Sequence, residues 1–171
     1  MYKRQVKNPL ALFTEDDADN TKYFELFKEL GWKLYKECTA NIKGNATKLI
    51  KYDHTLVTQI QQGKIDCIVK FGRTPVSKIW RLLDNTYTDI PVIGIGESEL
   101  GLARGVRYFD KESLVEMKFL EKSTSEIEED DILEAALALP QCELSVFNKI
   151  LSDIPKGSRV FFGNSMAIRY G

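Results

Sequence analysis

The chain has 171 residues, 43% hydrophobic and 29% charged, which is the balance of one globular domain with a buried core. Its 24 Lys+Arg and 25 Asp+Glu leave a formal charge of -1, and the basic residues are scattered, which excludes the cationic stripe of a nucleic-acid binder. No apolar run approaches the roughly 18 residues of a membrane span and the start "MYKRQVKNPLALF" is too short for a signal peptide, so a cytoplasmic protein is expected.

In chain order, "PLALF" (Pro9 to Phe13) reads as a short apolar strand. The polar "TEDDADN" precedes "TKYFELFKEL", where Tyr23, Phe24, Phe27 and Leu30 recur at helical spacing; Asp19 or Asn20 is placed to cap that helix and Gly31 to end it. "WKLYKEC" alternates like a strand, "TANIKGNATK" reads as a loop, and "YDHTLVTQIQQ" carries Leu56, Val57 and Ile60 on one helical face before Gly63. "IDCIVKF" (Ile65 to Phe71) and "IPVIGIG" are nearly continuous in apolar and β-branched residues, as strands covered on both faces are. "SKIWRLLDN" between them reads as a helix and "ARGVRYF" as a fifth strand.

This alternation predicts an α/β fold, a Rossmann-like doubly wound parallel sheet with right-handed crossovers over residues 1–122. Ligands of such sheets lie beyond the carboxyl ends of the strands. From Lys111 the pattern changes: "KESLVEMKFLEK" is helical, "STSEIEEDD" is acidic and "ILEAALALP" is a short helix stopped by Pro140. Residues 123–157 read as an acidic linker and helices, with Leu144, Phe147, Ile150 and Leu151 giving the last helix an apolar face. Residues 158–171 begin with an apolar strand. The bunched carboxylates Glu126, Glu128, Glu129, Asp130 and Asp131 lack the spacing of cation ligands and are assigned no chemistry. Cys38, Cys67 and Cys142 are widely spaced, with no metal-ligand partner at a regular offset, and read as reduced structural thiols.

Four stretches carry candidate chemistry. "GIGESELG" does not match G-x-G-x-x-G and ends the fourth strand, so its glycines read as a packed strand end and turn, with Glu97 or Glu99 as ligand contacts at most. His54, the only histidine, stands at a helix start with no Ser or Cys at a triad offset, and reads as a packed or capping residue. "FGRTPVSK" places Arg73, Ser77 and Lys78 on the ligand side of the sheet, as donors for a carboxylate or phosphate. The same residues are also explained if Ser77 only caps the helix and Lys78 is solvated. In "GNSMAIR" Gly163 allows a turn, and Ser165 and Arg169, four apart, would share a helical face as a carboxylate clamp, or Arg169 is a surface arginine.

"IVKFGRTPVSK" and "PQCELSVFNKILSDIPKGSRVFFGNSMAIR", preceded in order by "ELGWKLYKECTANIKGN" and "KYDHTL", resemble the central part of the MenD family. These are the 2-succinyl-5-enolpyruvyl-6-hydroxy-3-cyclohexene-1-carboxylate synthases of menaquinone biosynthesis. The resemblance runs from about Leu10 onward. It implies a transferase that decarboxylates 2-oxoglutarate on thiamine diphosphate with Mg²⁺ and adds the succinyl carbanion to isochorismate. It also implies N- and C-terminal domains as partners, with residues 158–171 as the first strand and substrate loop of the C-terminal, diphosphate-binding one, a dimer or tetramer, and no nucleic acid or membrane span. By matching position, Ser165 and Arg169 would hold the succinyl part and Lys78, with Ser77 in the same turn, would meet isochorismate. The family's activating glutamate and Gly-Asp-Gly…Asn metal segment have no counterpart, so this stretch alone is expected to bind no cofactor, contribute no catalytic residue and be inactive. Residues after about Ser165 are expected to be poorly ordered or docked opportunistically. The alternative is a stand-alone FAD-, ADP- or metabolite-binding regulatory module.

Overall fold

A computed structural model of the chain describes residues 6–51, 53–96, 102, 106–116, 122–123, 135, 138–140 and 143–161. The chain forms two compact units, Met1–Ile127 and Glu128–Gly171. The first is built on six strands: β1 (Pro9–Phe13), β2 (Lys33–Lys36), β3 (Leu49–Ile50), β4 (Cys67–Phe71), β5 (Val92–Ile95) and β6 (Arg107–Phe109). Helices α1 (Thr21–Glu29), α2 (Asp53–Gln61) and α3 (Ile79–Asn85) lie between them, and a 3₁₀ turn, Glu112–Glu116, follows β6. The strand order is β3-β2-β1-β4-β5-β6, and every neighbouring pair is parallel. This is the doubly wound α/β arrangement that the alternating sequence pattern predicts.

The central strands β1 and β4 are buried at every position, and successive side chains pass to opposite faces. On one face Leu10, Leu12 and Ile68 pack with Leu56 and Ile60 of α2 and with Ile79, Trp80 and Leu83 of α3. On the other, Ala11, Phe13, Val69 and Phe71 pack with Tyr23, Phe24 and Phe27 of α1, Trp32 and Leu114. That second face is aromatic. Phe13 stacks on Phe71 with centroids 4.8 Å apart, Tyr23 stacks on Phe71 at 5.4 Å, and Phe27 meets Trp32 at 4.6 Å. Such pairs add about 0.5–1.5 kcal/mol each beyond the area they bury.

The sequence pattern places "TANIKGNATK" in a loop running directly to a helix, yet Leu49–Ile50 just beyond it form β3, a sixth strand at the sheet edge. Two residues are too short for a period-2 pattern to show. At α1, Asn20 occupies the cap position without a side-chain cap bond, whereas the Asp19 carboxylate accepts the Thr21 N–H at 2.8 Å. Gly94 is a packed strand position, as expected: a Cβ there would overlap the Tyr108 ring on β6.

The second unit contains α4 (Glu143–Asp153). Phe147 and Leu151 are half-buried, but Ile150, expected on the apolar face, is exposed, as is Val146. The described residues after α4, 154–161, adopt no strand, and Phe161 is exposed. An apolar run becomes a strand only against a paired edge. Glu97, Glu99, the acidic run 126–131, Cys142, Ser165 and Arg169 lie outside the described residues.

Candidate functional site

All six strands point their carboxyl ends the same way, so the loops after them gather at one edge. From the loops after β1 and β4, where the winding direction changes, across to β6, an open cleft of about 910 Å³ is lined by Asp16, Asp17, Gly72, Arg73, Gly96 and the segment 108–113, which includes Lys111. Its cations are matched by carboxylates. Arg73 reaches Glu15 at 3.2 Å and Asp17 at 2.9 Å, and Lys111 reaches Asp16 at 2.9 Å. Burial pushes the Asp16 carboxyl upward, but hydrogen bonds from Asn20 and Lys111 outweigh it and hold the group below the usual range. The loop after β1 therefore presents Glu15, Asp16 and Asp17 where a dinucleotide fold presents glycines to a pyrophosphate.

Beside the cleft, under the loop Gly72–Lys78, lies a buried polar cluster. Glu37 leaves the end of β2, and its carboxylate accepts the Ser77 N–H at 2.9 Å. Its other oxygen, Oε2, is buried with no hydrogen-bond partner among the described residues. Burial raises the Glu37 carboxyl, opposed by the Ser77 and Val76 N–H groups and by Lys70 and helped by Asp53. Asp53, first residue of α2, accepts the Ser77 hydroxyl at 2.8 Å and the Tyr35 hydroxyl. Burial, with the Asp53 charge, pushes the Tyr35 phenol upward. From β4 the Lys70 ammonium donates to the Gly72 carbonyl and to that of Arg73 at 2.9 Å. It lies 5.5 Å from the centre of the Trp80 ring. Burial lowers Lys70 to about 8, against the attraction of Glu37 and Asp16.

Of the residues singled out in the sequence, Arg73 and Lys78 are exposed on this loop. Ser77 is buried, and its hydroxyl also accepts the Ile79 N–H at 3.1 Å, although the cap position of α3 is Lys78, with no side-chain cap bond. His54 is exposed in the first turn of α2. Cys67 is buried and Cys38 exposed, and neither is in a disulfide. Sequence reasoning missed Glu37, Asp53 and Lys70. For Lys70 a signal existed: a lysine inside a strand expected to be covered on both faces must find acceptors. Glu37 and Asp53 lie 40 and 24 residues before Ser77, and no local spacing links them.

The fold and this edge define a Rossmann-like α/β domain that gathers charged loops at the carboxyl ends of its strands. No family model matches the chain. Over 120 residues, 64% of this chain, it is 28% identical to the 2-succinyl-5-enolpyruvyl-6-hydroxy-3-cyclohexene-1-carboxylate synthase of Bdellovibrio bacteriovorus. The matched stretch is 23% of that relative's length. Among the described residues no helix is long and apolar enough to cross a membrane.

Proposed function

We propose that the chain serves as the central, substrate-contacting domain of a menaquinone-pathway synthase, one that decarboxylates 2-oxoglutarate on thiamine diphosphate and transfers the succinyl unit to isochorismate. The observation that carries this is the 120-residue match to a synthase of that name. The exposed Lys78, on a loop at the ligand edge, is suited to meet an anionic substrate such as isochorismate. Ser77, its hydroxyl engaged by Asp53, holds that loop. Ser165 and Arg169 are assigned to the succinyl carboxylate.

Thiamine diphosphate would supply the electron sink for decarboxylation, with Mg²⁺ on its diphosphate. The described residues do not fit that pair. No three His, Cys, Asp or Glu side chains among them are grouped to hold a metal ion. The loop after β1 meets a diphosphate with Glu15, Asp16 and Asp17, which repel it. No step through the cofactor is therefore assigned to this chain, and in this reading the cofactor is held by N- and C-terminal domains of an oligomeric enzyme. The same acidic loop disfavours the reading as a stand-alone nucleotide-binding module.

A chimera tests the proposal. Grafted in place of the matching segment of the Bdellovibrio synthase, this chain should support product formation from 2-oxoglutarate and isochorismate, while the 171-residue chain alone should form none. A folded chimera without activity, or a clear thermal shift of the isolated chain with FAD, NAD or ADP, would overturn it.

A further inference from the structure

The loop Gly72–Lys78 is fastened from beneath along its length. The Arg73 N–H donates to the Glu15 carbonyl at 2.7 Å, and the Arg73 carbonyl accepts from the Thr14 hydroxyl at 2.6 Å and from Lys70 at 2.9 Å. Gly72, with φ +84°, sits so close to Thr14 and Glu15 that no Cβ would fit. Pro75 fixes its own φ and restricts Thr74 before it. At the far end Glu37 holds the Ser77 N–H at 2.9 Å and Asp53 the Ser77 hydroxyl at 2.8 Å. On this fixed frame burial alternates: Pro75 and Ser77 are buried, Val76 and Lys78 exposed.

A single exposed apolar side chain is ordinary on a protein surface, but here the exposed ones are not scattered. Among the described residues of the first unit, the large apolar side chains left exposed are Val76, Tyr108 and Phe109. Tyr108 and Phe109 close β6 and Val76 lies on the loop after β4, so all three stand where a parallel sheet meets its ligands. Val76 is 45% exposed, and its β-branch makes it stiff at χ1. It stands two residues from the Lys78 ammonium. A small anion would use Lys78 alone, whereas a carboxylate borne on a hydrocarbon ring would use both residues. We propose that Val76 is a specificity-determining residue: it covers the hydrocarbon face of a cyclic carboxylate whose charge meets Lys78, so that the loop selects a ring-borne carboxylate over a small hydrophilic one. This builds on the reading of Lys78 as the contact to the acceptor substrate, and adds the group that selects that acceptor. Because the backbone is already fixed, little loop ordering has to be offset on binding. One CH₂ group covered is worth roughly fourfold in affinity, and Val76 offers an isopropyl group.

Methyl and amide NMR of the 171-residue chain, titrated with cyclohex-1-ene-1-carboxylate and with acetate, tests this. The ring carboxylate should move the Val76 methyl and Lys78 signals together and bind roughly fourfold or more tightly than acetate, which should move Lys78 alone. Val76→Thr, a hydroxyl in place of one methyl, should bring the ring carboxylate down to the affinity of acetate, and Lys78→Met should weaken both. Equal affinities in the wild type, a Val76 signal that stays in place, or a preference that survives in Val76→Thr overturns the proposal. Should a variant not fold, the wild-type affinities and the set of shifted methyls decide alone. The synthase reading is decided separately. Product from the Bdellovibrio chimera without a ring preference removes the role of Val76 only, and a ring preference beside a folded, inactive chimera removes the synthase reading only.

Discussion

Each end of the parallel sheet buries a lysine, and the two are held by different chemistry. At the amino end Lys33 opens β2 and donates to the Gln59 side-chain oxygen at 2.9 Å and to the Lys64 carbonyl at 2.7 Å. These acceptors are neutral, and they tie β2 to α2 and to the turn before β4. At the carboxyl end Lys70 also donates to carbonyls, but those belong to a loop, and Glu37 and Asp16 act on it as charges. Both lysines are 1% exposed. The two lysines thus differ in what they fasten: Lys33 joins elements of the scaffold, and Lys70 holds a loop at the ligand edge. The loops of a parallel sheet that face ligands are those at its carboxyl end, and there the buried charge is concentrated.

The comparison breaks most visibly in the pH dependence of stability. Lys70 is lowered to about 8 in the folded chain from an ordinary 10.5. Between those values the unfolded chain holds more protons, so unfolding free energy rises as pH rises through the folded value, by at most about 3 kcal/mol. Urea denaturation from about pH 7 to about 9 should show the first part of that rise, below the range where the raised Cys67 thiol and Tyr35 phenol oppose it. Lys70→Met should remove that component and leave the fall that the raised Cys67 thiol and Tyr35 phenol impose at higher pH; a rise that survives in Lys70→Met would mean that Lys70 does not carry it.

Backbone constraint sharpens the comparison next. Gly72, at the carboxyl end, has φ +84°, and a Cβ there would strike the carbonyl oxygens of Thr14 and Glu15. Gly63, in the turn leading back to the amino end of β4, has φ +68° with nothing within 4 Å of the added atom. Gly72→Ala combines left-handed strain with a backbone collision and should cost about 2 kcal/mol or more, whereas Gly63→Ala incurs the strain alone, about 1 kcal/mol. Equal shifts in the urea midpoint would mean that the loop after β4 is no more tightly seated than an open turn.

How far such features were legible in the sequence depends on whether the cause is local. The strands "PLALF", "IDCIVKF" and "IPVIGIG" announce themselves because covering both faces of a parallel strand requires unbroken apolar runs. The turn "GRTPVSK" announces itself through its glycine and proline. Leu49–Ile50 does not, because its strand character comes from the edge of β2 with which it pairs. The candidate site divides in the same way. Arg73, Ser77 and Lys78 were readable as polar residues at a strand-to-helix turn, but the groups that meet Arg73 and Ser77 come from the loop after β1, the end of β2, α2 and β4. Glu37 in "YKEC" looks like any solvated glutamate until the fold brings Ser77 to its carboxylate.

The smallest expected effect lies within the carboxyl end itself. Arg73 bridges Glu15 and Asp17 with side chains 45%, 51% and 87% exposed, so water and salt screen both pairs and the long side chain loses entropy in holding them. Arg73→Ala should change stability by less than about 0.5 kcal/mol. The Lys111–Asp16 pair is less exposed, at 21% and 18%, and Asp16 also accepts from Asn20 at 2.7 Å. Lys111→Ala should therefore cost more, about 1 kcal/mol, and lose less of that effect when urea melts are repeated in high salt. If both substitutions proved equally silent, the cleft's charges would be solvated surface. The fixed part of this edge would then narrow to the cluster beneath the Gly72–Lys78 loop.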